Sequence, residues 1–593
     1  MFYENSPESA DRERVRKAWS FLVFAFALML ILLLRLFQLQ VLHGRDYFMI
    51  SELTRLNKVV MEAPRGSILD RNGAVLAENG LSYSITVDPM EGKKVERNVP
   101  LLASFIGAPA DDLGERVHEI LKKNHTPVKL FKNADFRLFS IVEEHKNELP
   151  GLGSIIEQRR NYPYGRIASH VIGYMGELTQ NEYSGFGKPR GYYYGQSMGR
   201  DGIEQYYEER LKGRNGTKFQ EKNYLNRVME MKDPAGIRPD PPSPGGSLRL
   251  TIDIRLQIAA EQAFGDSTPG ALVALDPRNG EILAMVSLPS FDPNEFTRVM
   301  SAARYDSLAG NPDKPLFNRA IQATYPPGST FKMLTALAGL ENGYTQNTRF
   351  SPCRGSYYYG GRPFKCWKPG GHGSLDMTGA IANSCNVYFY QLGKNVGLEN
   401  WQKVGLALGF GKRSGIDMFD EVTGRLPTLE YYSTTDQYYS PGMMLNLAIG
   451  QGENDVTVLQ LACYAGIIAT EGIKAAPHLD MAKTGKPERV AGISPESFRV
   501  VKEGMLKAVN GGTARGAQIP GHQTAGKTGT AQNPHGADHK LFVGFAPFGD
   551  PAVAIACVAE NAGDQTPSRA VVVAKRFLEE YYRYYPDKSA AVP

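Results

Sequence analysis

Apolar and polar positions along the chain follow three different patterns. The first is an uninterrupted apolar run. Ala18–Leu34 holds 17 residues without a charge, and the run continues through Arg35 to Leu42. Residues 18–42 are long enough to cross a bilayer as one helix, with Arg35 able to reach the headgroups from near its end. The alternative is a cleaved signal peptide. No small-residue cleavage site follows, and the run is long for such a segment. Arg12, Arg14, Arg16 and Lys17 precede the run, while Arg45, Arg55 and Lys58 follow it, so charge gives little orientation. No later run is as long.

The second pattern, over residues 43–235, is a set of short α and β elements broken by dense turn chemistry. Examples are Pro64-Arg65-Gly66, Asp70-Arg71-Asn72-Gly73 and Tyr162-Pro163-Tyr164-Gly165. Residues 236–247 are rich in proline and glycine and predict a linker. The third pattern fills 248–593, where apolar strand runs mix with helical periodicity. LRLTIDIRLQ reads as an alternating strand opening this block. GALVALDPRNGEILAMVS predicts two strands around an Asn279-Gly280 turn. FKMLTALAGLENG predicts a helix. GKTGTAQ, KLFVGFAPF and AVAIACVAE predict three successive strands, and RAVVVAKRFLEEYYRYY a closing helix. The fold class is α+β, with an antiparallel sheet flanked by helices.

Composition removes several classes. Hydrophobic residues make up 42% and charged residues 22%, which excludes a mainly disordered chain. A mean hydropathy of −0.32 excludes a polytopic membrane protein. A net charge of +5 across 593 residues is no argument for a nucleic-acid partner. Five cysteines exclude a disulfide scaffold.

The chemistry is carried by three short motifs. Ser329-Thr330-Phe331-Lys332 follows Pro326-Pro327-Gly328, which marks a helix start, so Ser329 and Lys332 share one helix face. A serine hydroxyl needs a base, and a lysine whose pKa is lowered by burial can be one. Alone, the motif is equally an N-cap serine with a solvated lysine. However, Ser384-Cys385-Asn386 lies 55 residues downstream and Lys527-Thr528-Gly529-Thr530 a further 143. The ordered triple S-x-x-K, S-D-N, K-T-G marks β-lactamases and penicillin-binding proteins, and here the middle member reads S-C-N. K-T-G falls on a predicted strand whose edge can pair with an extended peptide, and Gly529 is expected to leave room for that peptide.

On these motifs the chain resembles the class B penicillin-binding proteins, which are peptidoglycan D,D-transpeptidases. Arg65-Gly66-Ser67-Ile68-Leu69-Asp70-Arg71-Asn72-Gly73 and Gly199-Arg200-Asp201-Gly202-Ile203-Glu204 resemble two segments of the class B pedestal domain. The resemblance spans nearly the whole chain: a cytoplasmic end over 1–17, an anchor over 18–42, a pedestal of the dimerisation type over 43–235, a linker over 236–247 and a transpeptidase domain over 248–593. SCNVYFYQLG, KTGTAQ and DHKLFVGFAP resemble the elongation-specific branch more than the division-specific one.

The resemblance implies a mechanism. Ser329 attacks the bond between two D-alanines of a stem peptide, D-alanine leaves, and an amine of a second stem peptide takes the acyl group. Lys332 is the implied base, Ser384 and Lys527 the proton relay, and Asn386 the holder of the substrate amide. Thr528 and Thr530 grip the terminal carboxylate beside Gly529, and the N–H groups of Ser329 and Thr530 form the oxyanion hole. β-Lactams are implied ligands of Ser329. A membrane glycan polymerase of the SEDS type and other elongation-complex proteins are implied partners. The implied location is the bacterial inner membrane, with the bulk of the chain outside the cytoplasm. No cofactor is implied for the chemistry. Rival readings are a β-lactamase, a D,D-carboxypeptidase, the division-specific transpeptidase and a non-catalytic β-lactam sensor. The pedestal segment has its own alternative, in which Arg65, Asp70 and Arg71 form a solvated ion-pair set.

One further cluster is expected. Cys353, Cys366, His372 and Cys385 fall within 33 residues, spaced C-x₁₂-C-x₅-H-x₁₂-C, and lead into the S-C-N motif. Three thiolates and an imidazole make a structural zinc set. A Cys353–Cys366 disulfide and an unlinked set of residues are the alternatives. Cys463 and Cys557 lie in apolar stretches and read as core.

Overall fold

The structure is a computed structural model. It describes residues 7–45, 47, 56–107, 109–123, 128–193, 195–222, 228–229, 239–265, 268–297, 300, 302–435, 438–484, 486–534, 536–563 and 565–586. Residues 1–6 of the expected cytoplasmic end, Arg55 and residues 236–238 of the expected linker lie outside these.

Two compact units divide the chain, one of 1–63 with 214–243 and one of 64–213 with 244–593. In the first, the Pro7–Phe37 helix runs into a wider turn over Gln38–Leu42. Among the described residues one helix is long and apolar enough to cross a membrane, and its apolar side chains are exposed. Strand Leu56–Met61 pairs antiparallel with Gly216–Lys222, which pairs with Val228–Met229.

The second unit begins with the pedestal sheet. Its strand order is Leu248–Arg249, Ile68–Leu69, Val75–Val87, Val128–Ala134, with Leu152–Asn161 also paired to Val75–Val87. Helices Gly92–Ile106, Ala110–Lys123 and Phe136–Glu144 cover it through Val95, Val99, Leu102, Val117 and Val142. LRLTIDIRLQ is only briefly a strand. Leu248–Arg249 pairs parallel with Ile68–Leu69, and the Asp253 side chain then accepts from Arg255 N at 3.0 Å and starts a helix over Ile254–Phe264. The cap overrides the alternation that precedes it. Gly245 and Gly246, in the stretch expected to be a linker, are bonded into the pedestal: Gly245 N donates to Pro64 O and Gly246 N to Arg210 O, each at 2.8 Å.

The two pedestal motifs close on each other. Arg65 Nε donates to Glu204 Oε2 at 2.7 Å and Arg65 Nη2 to Glu208 Oε2 at 2.6 Å, while Arg160 Nε reaches Glu204 Oε1 at 2.6 Å. The solvated reading is therefore wrong for Arg65. It is wrong for Asp70 as well, which is fully buried and accepts from Asn72 N, Ala74 N and Ile254 N. Arg71 instead pairs with Glu281 of the transpeptidase domain at 2.9 Å. The motif glycines are steric: a Cβ at Gly199 would lie 2.1 Å from Glu204 O.

The transpeptidase domain is built on a five-stranded antiparallel sheet in the order Ile282–Leu288, Gly270–Leu275, Val553–Ala559, His539–Ala546, Ala525–Ala531. Its inner strands are buried on both faces, which is why they read as continuous apolar runs. Val273, Leu275, Ala554 and Val558 face the core that holds helix Val458–Ala469. Leu272, Ala274, Ile555 and Cys557 face the core made with helices Ile254–Phe264 and Arg569–Tyr584. Cys557 is fully buried and Cys463 partly so. Ala525–Ala531 is the edge strand of the sheet.

Candidate active site

The three motifs meet at that edge. Gly328–Phe331 forms a tight 3₁₀ turn that runs straight into helix Lys332–Leu340. Gly328 has φ +53, and a Cβ there would sit 2.3 Å from Thr530 O. Only glycine brings the serine turn this close to the K-T-G strand. Gly529 has a related role. Its added Cβ would meet Pro327 O and Thr330 Cγ2, both at 3.0 Å. Gly529 lines the cleft, and the position a Cβ would take there is filled by the serine turn, because the strand and the turn pack directly.

Lys332 is fully buried. Its Nζ lies 2.7 Å from Ser384 O, 3.0 Å from Ser384 Oγ and 2.6 Å from Asn386 Oδ1. Lys527, also fully buried, donates to Ser384 Oγ and to Thr528 O, both at 2.9 Å. Ser384 itself is held at φ +52, an uncommon setting for a residue with a Cβ. Burial lowers the Lys332 pKa to about 7, with Cys366 and Cys385 acting in the opposite sense. Burial, followed by the charge of Lys332, pushes Lys527 well below the ordinary lysine range. One of these amines held neutral can accept the Ser384 hydroxyl proton while the other donates, which gives a continuous proton path.

Ser329 is half-buried, lines the cleft, and makes no hydrogen bond through its hydroxyl among the described residues. Asn386 is fixed at both ends, since its Nδ2 donates to Lys365 O at 3.1 Å while its Oδ1 accepts from Lys332. One N–H and one lone pair remain for a substrate amide. Thr528 and Thr530 are half-exposed on the same face of the edge strand, as alternation requires. The cleft encloses about 790 Å³ and is lined by Ser329, Ser384, Asn386, Thr528, Gly529 and Thr530.

Two cleft residues escaped the sequence reading. Thr513 Oγ1 accepts from Thr528 Oγ1 at 3.3 Å, and Gln451 Nε2 donates to Thr530 O at 3.0 Å. Both sit in glycine-punctuated turns, NGGT and IGQG, which give no chemical signal on their own.

The Cys/His set also converges. The ligand atoms of Cys353, Cys366, His372 and Cys385 all lie within 4.8 Å of one another, and no cysteine is in a disulfide. His372 Nδ1 is 3.7 Å from Cys353 Sγ and 3.6 Å from Cys366 Sγ. Tetrahedral zinc with ordinary bond lengths needs sulfur–nitrogen separations of about 3.6 Å. The donors fit that ion.

Comparison with known proteins agrees with this geometry. The family described as penicillin binding protein transpeptidase domain matches residues 270–579, and the penicillin-binding protein dimerisation domain matches 60–250. The peptidoglycan D,D-transpeptidase MrdA of Acinetobacter baumannii is 33% identical over 577 residues, covering 91% of this chain and 84% of that protein. The complex of PBP2 and MreC from Helicobacter pylori contains a chain that superposes with a TM-score of 0.79 at 28% identity, covering 89% of this chain and 99% of that one. A peptidoglycan synthase complex, described as coordinating polymerization and crosslinking, contains a chain with a TM-score of 0.72 at 31% identity, covering 96% and 98%. The chain belongs to the class B penicillin-binding proteins and is a peptidoglycan D,D-transpeptidase of the serine type.

Proposed function

We propose that this transpeptidase crosslinks stem peptides during cell-wall elongation and shape maintenance, through an acyl-enzyme on Ser329. The observation that carries the reading is the placement of two buried lysine amines on one hydroxyl, Ser384, behind the serine turn. Lys332 takes the Ser329 proton. Ser384 and Lys527 pass a proton to the leaving D-alanine amine. Asn386 orients the substrate amide, and the Thr528 and Thr530 hydroxyls hold the terminal carboxylate beside Gly529. The N–H groups of Ser329 and Thr530 bind the oxyanion, each such donor being worth about 3–4 kcal/mol in acyl transfer.

Zinc at Cys353, Cys366, His372 and Cys385 acts as a structural clip. Cys385 lies between Ser384 and Asn386, and Cys366 follows the Lys365 carbonyl that orients Asn386, so the clip sets the S-C-N motif. The helix ending near Leu42 anchors the chain in the inner membrane, with the catalytic domain outside the cytoplasm. Residues 43–235 are the pedestal, 236–247 the linker and 248–593 the transpeptidase domain. By likeness to the PBP2–MreC complex and the synthase complex, the partners are elongation-complex proteins, including a SEDS-type glycan polymerase.

Labelling with a fluorescent penicillin tests the reading. One adduct on the Ser329 peptide, lost in Ser329→Ala, is the expected result. An adduct on Ser384, or undiminished labelling of Ser329→Ala, overturns it.

A further inference from the structure

The segment Ile449-Gly450-Gln451 touches both sides of the oxyanion hole. Gly450 O accepts from Gly328 N at 2.8 Å, next to Ser329. Gly450 has φ +74, and a Cβ there would lie 2.1 Å from Gly328 O, so the loop is pressed onto the serine turn. One residue on, Gln451 Nε2 donates to Thr530 O at 3.0 Å. The segment therefore ties the serine turn to the K-T-G strand.

The bond to Thr530 has a directional consequence. Along a strand, the N–H and C=O of one residue point to the same side. The nearest atoms to a Cβ built on Gly328 are Thr530 O, C and N, at 2.3, 3.0 and 3.1 Å. Both polar groups of Thr530 thus face the serine turn rather than the neighbouring strand. The Ala525–Ala531 strand is the sheet edge, and among the described residues no further strand pairs with that side. A bond to the carbonyl from the cleft side therefore holds the Thr530 N–H in its aim.

We propose that Gln451 is a positioning residue for the oxyanion hole: it locks the Thr530 peptide so that the Thr530 N–H meets the developing oxyanion on the Ser329 adduct. The proposal rests on the acyl-enzyme reading. It accounts for a glutamine that is half-buried in the cleft wall yet commits its amide to main chain. It also accounts for the glycine before it, which alone allows the loop to sit on the turn.

The test uses the full-length detergent-solubilised protein with a penicillin as acylating probe. Gln451→Met keeps the length and removes the donor. Gln451→Glu keeps the shape and turns an acceptor toward the Thr530 carbonyl. Three quantities are read: the acylation rate constant at saturating penicillin, the dissociation constant of the pre-covalent complex, and the infrared stretching frequency of the acyl-enzyme ester carbonyl. Both variants are expected to acylate about tenfold to a hundredfold more slowly, as a misaimed donor is a fraction of a deleted one. The pre-covalent constant should stay within about twofold, and the carbonyl band should move to higher frequency as its hydrogen bond weakens. A purely structural residue would not move that band. An unmoved band with wild-type acylation in either variant that retains the wild-type melting transition overturns the proposal. So does a loss confined to the pre-covalent constant, which would make Gln451 a substrate contact. The underlying reading fails separately, by labelling that survives Ser329→Ala.

Discussion

The pedestal and the cleft each bury two positively charged side chains, and they do it in opposite ways. In the pedestal, Arg65 and Arg160 share Glu204, and Arg65 also takes Glu208. Burial pushes the Glu204 carboxyl up, and Arg160 and Arg65 reverse this, leaving it below the ordinary range. Every charge there has an opposite partner. In the cleft, Lys332 and Lys527 meet only carbonyl, amide and hydroxyl oxygens. With no carboxylate among the described hydrogen-bond partners, burial pushes both amines below the ordinary lysine range. The first arrangement is structural, and the second makes a base at neutral pH.

The sharpest way to break this contrast is to remove one member of each cluster. Lys332→Ala should lower the acylation rate by about 10²–10⁴, with a smaller loss of stability than the pedestal change, because no buried counter-charge is left unpaired. Glu204→Gln should do the reverse. Two buried guanidinium groups lose their shared partner, at a cost of about 3–5 kcal/mol in stability, seen in the denaturant midpoint. Acylation per folded molecule should stay within about twofold. A Glu204→Gln protein that is fully stable, or a Lys332→Ala protein that acylates normally, would collapse the distinction.

Much of this was legible in the sequence, for identifiable reasons. The sheet strands announce themselves because burial on both faces leaves Leu272, Val273 and Ala274 no polar alternation to hide in. Ser329, Lys332, Ser384, Asn386 and Lys527 are legible because their spacing is local to each motif. What could not be read is how distant segments meet. Glu204 gives no sign in its own neighbourhood that it completes Arg65, and Gln451 none that it reaches Thr530. Gly529 gives no sign in its own neighbourhood that a side chain there would meet the Pro327 carbonyl, 202 positions away in the chain. Asp253 defeats the strand reading of its segment through a single cap bond.

Smaller effects sharpen the account of the cleft. Gly529→Ala forces a methyl group against Pro327 O and Thr330 Cγ2. The strand must shift away from the serine turn, and acylation should fall by about tenfold, read from the same penicillin kinetics. Removing zinc should have a milder effect, because the proposed clip would act through Asn386 and Ser384 rather than on the reacting atoms. About one equivalent of zinc is expected by elemental analysis, and its removal should slow acylation by about twofold to tenfold. Protein holding less than about half an equivalent, with Cys353 and Cys366 oxidised, would favour a disulfide instead.

The central claim is that burial lowers the Lys332 pKa far enough to make it a base near neutral pH. The pH dependence of the acylation rate constant tests it most directly. Lys332 has a pKa of about 7 in the folded protein, so it loses its proton as pH rises through that value. The rate should be level above about pH 8 and fall roughly tenfold per pH unit below about pH 6. Lys332→Ala should lack that limb. A wild-type profile that is flat across pH 7, or that rises only in the ordinary lysine range, would contradict the account.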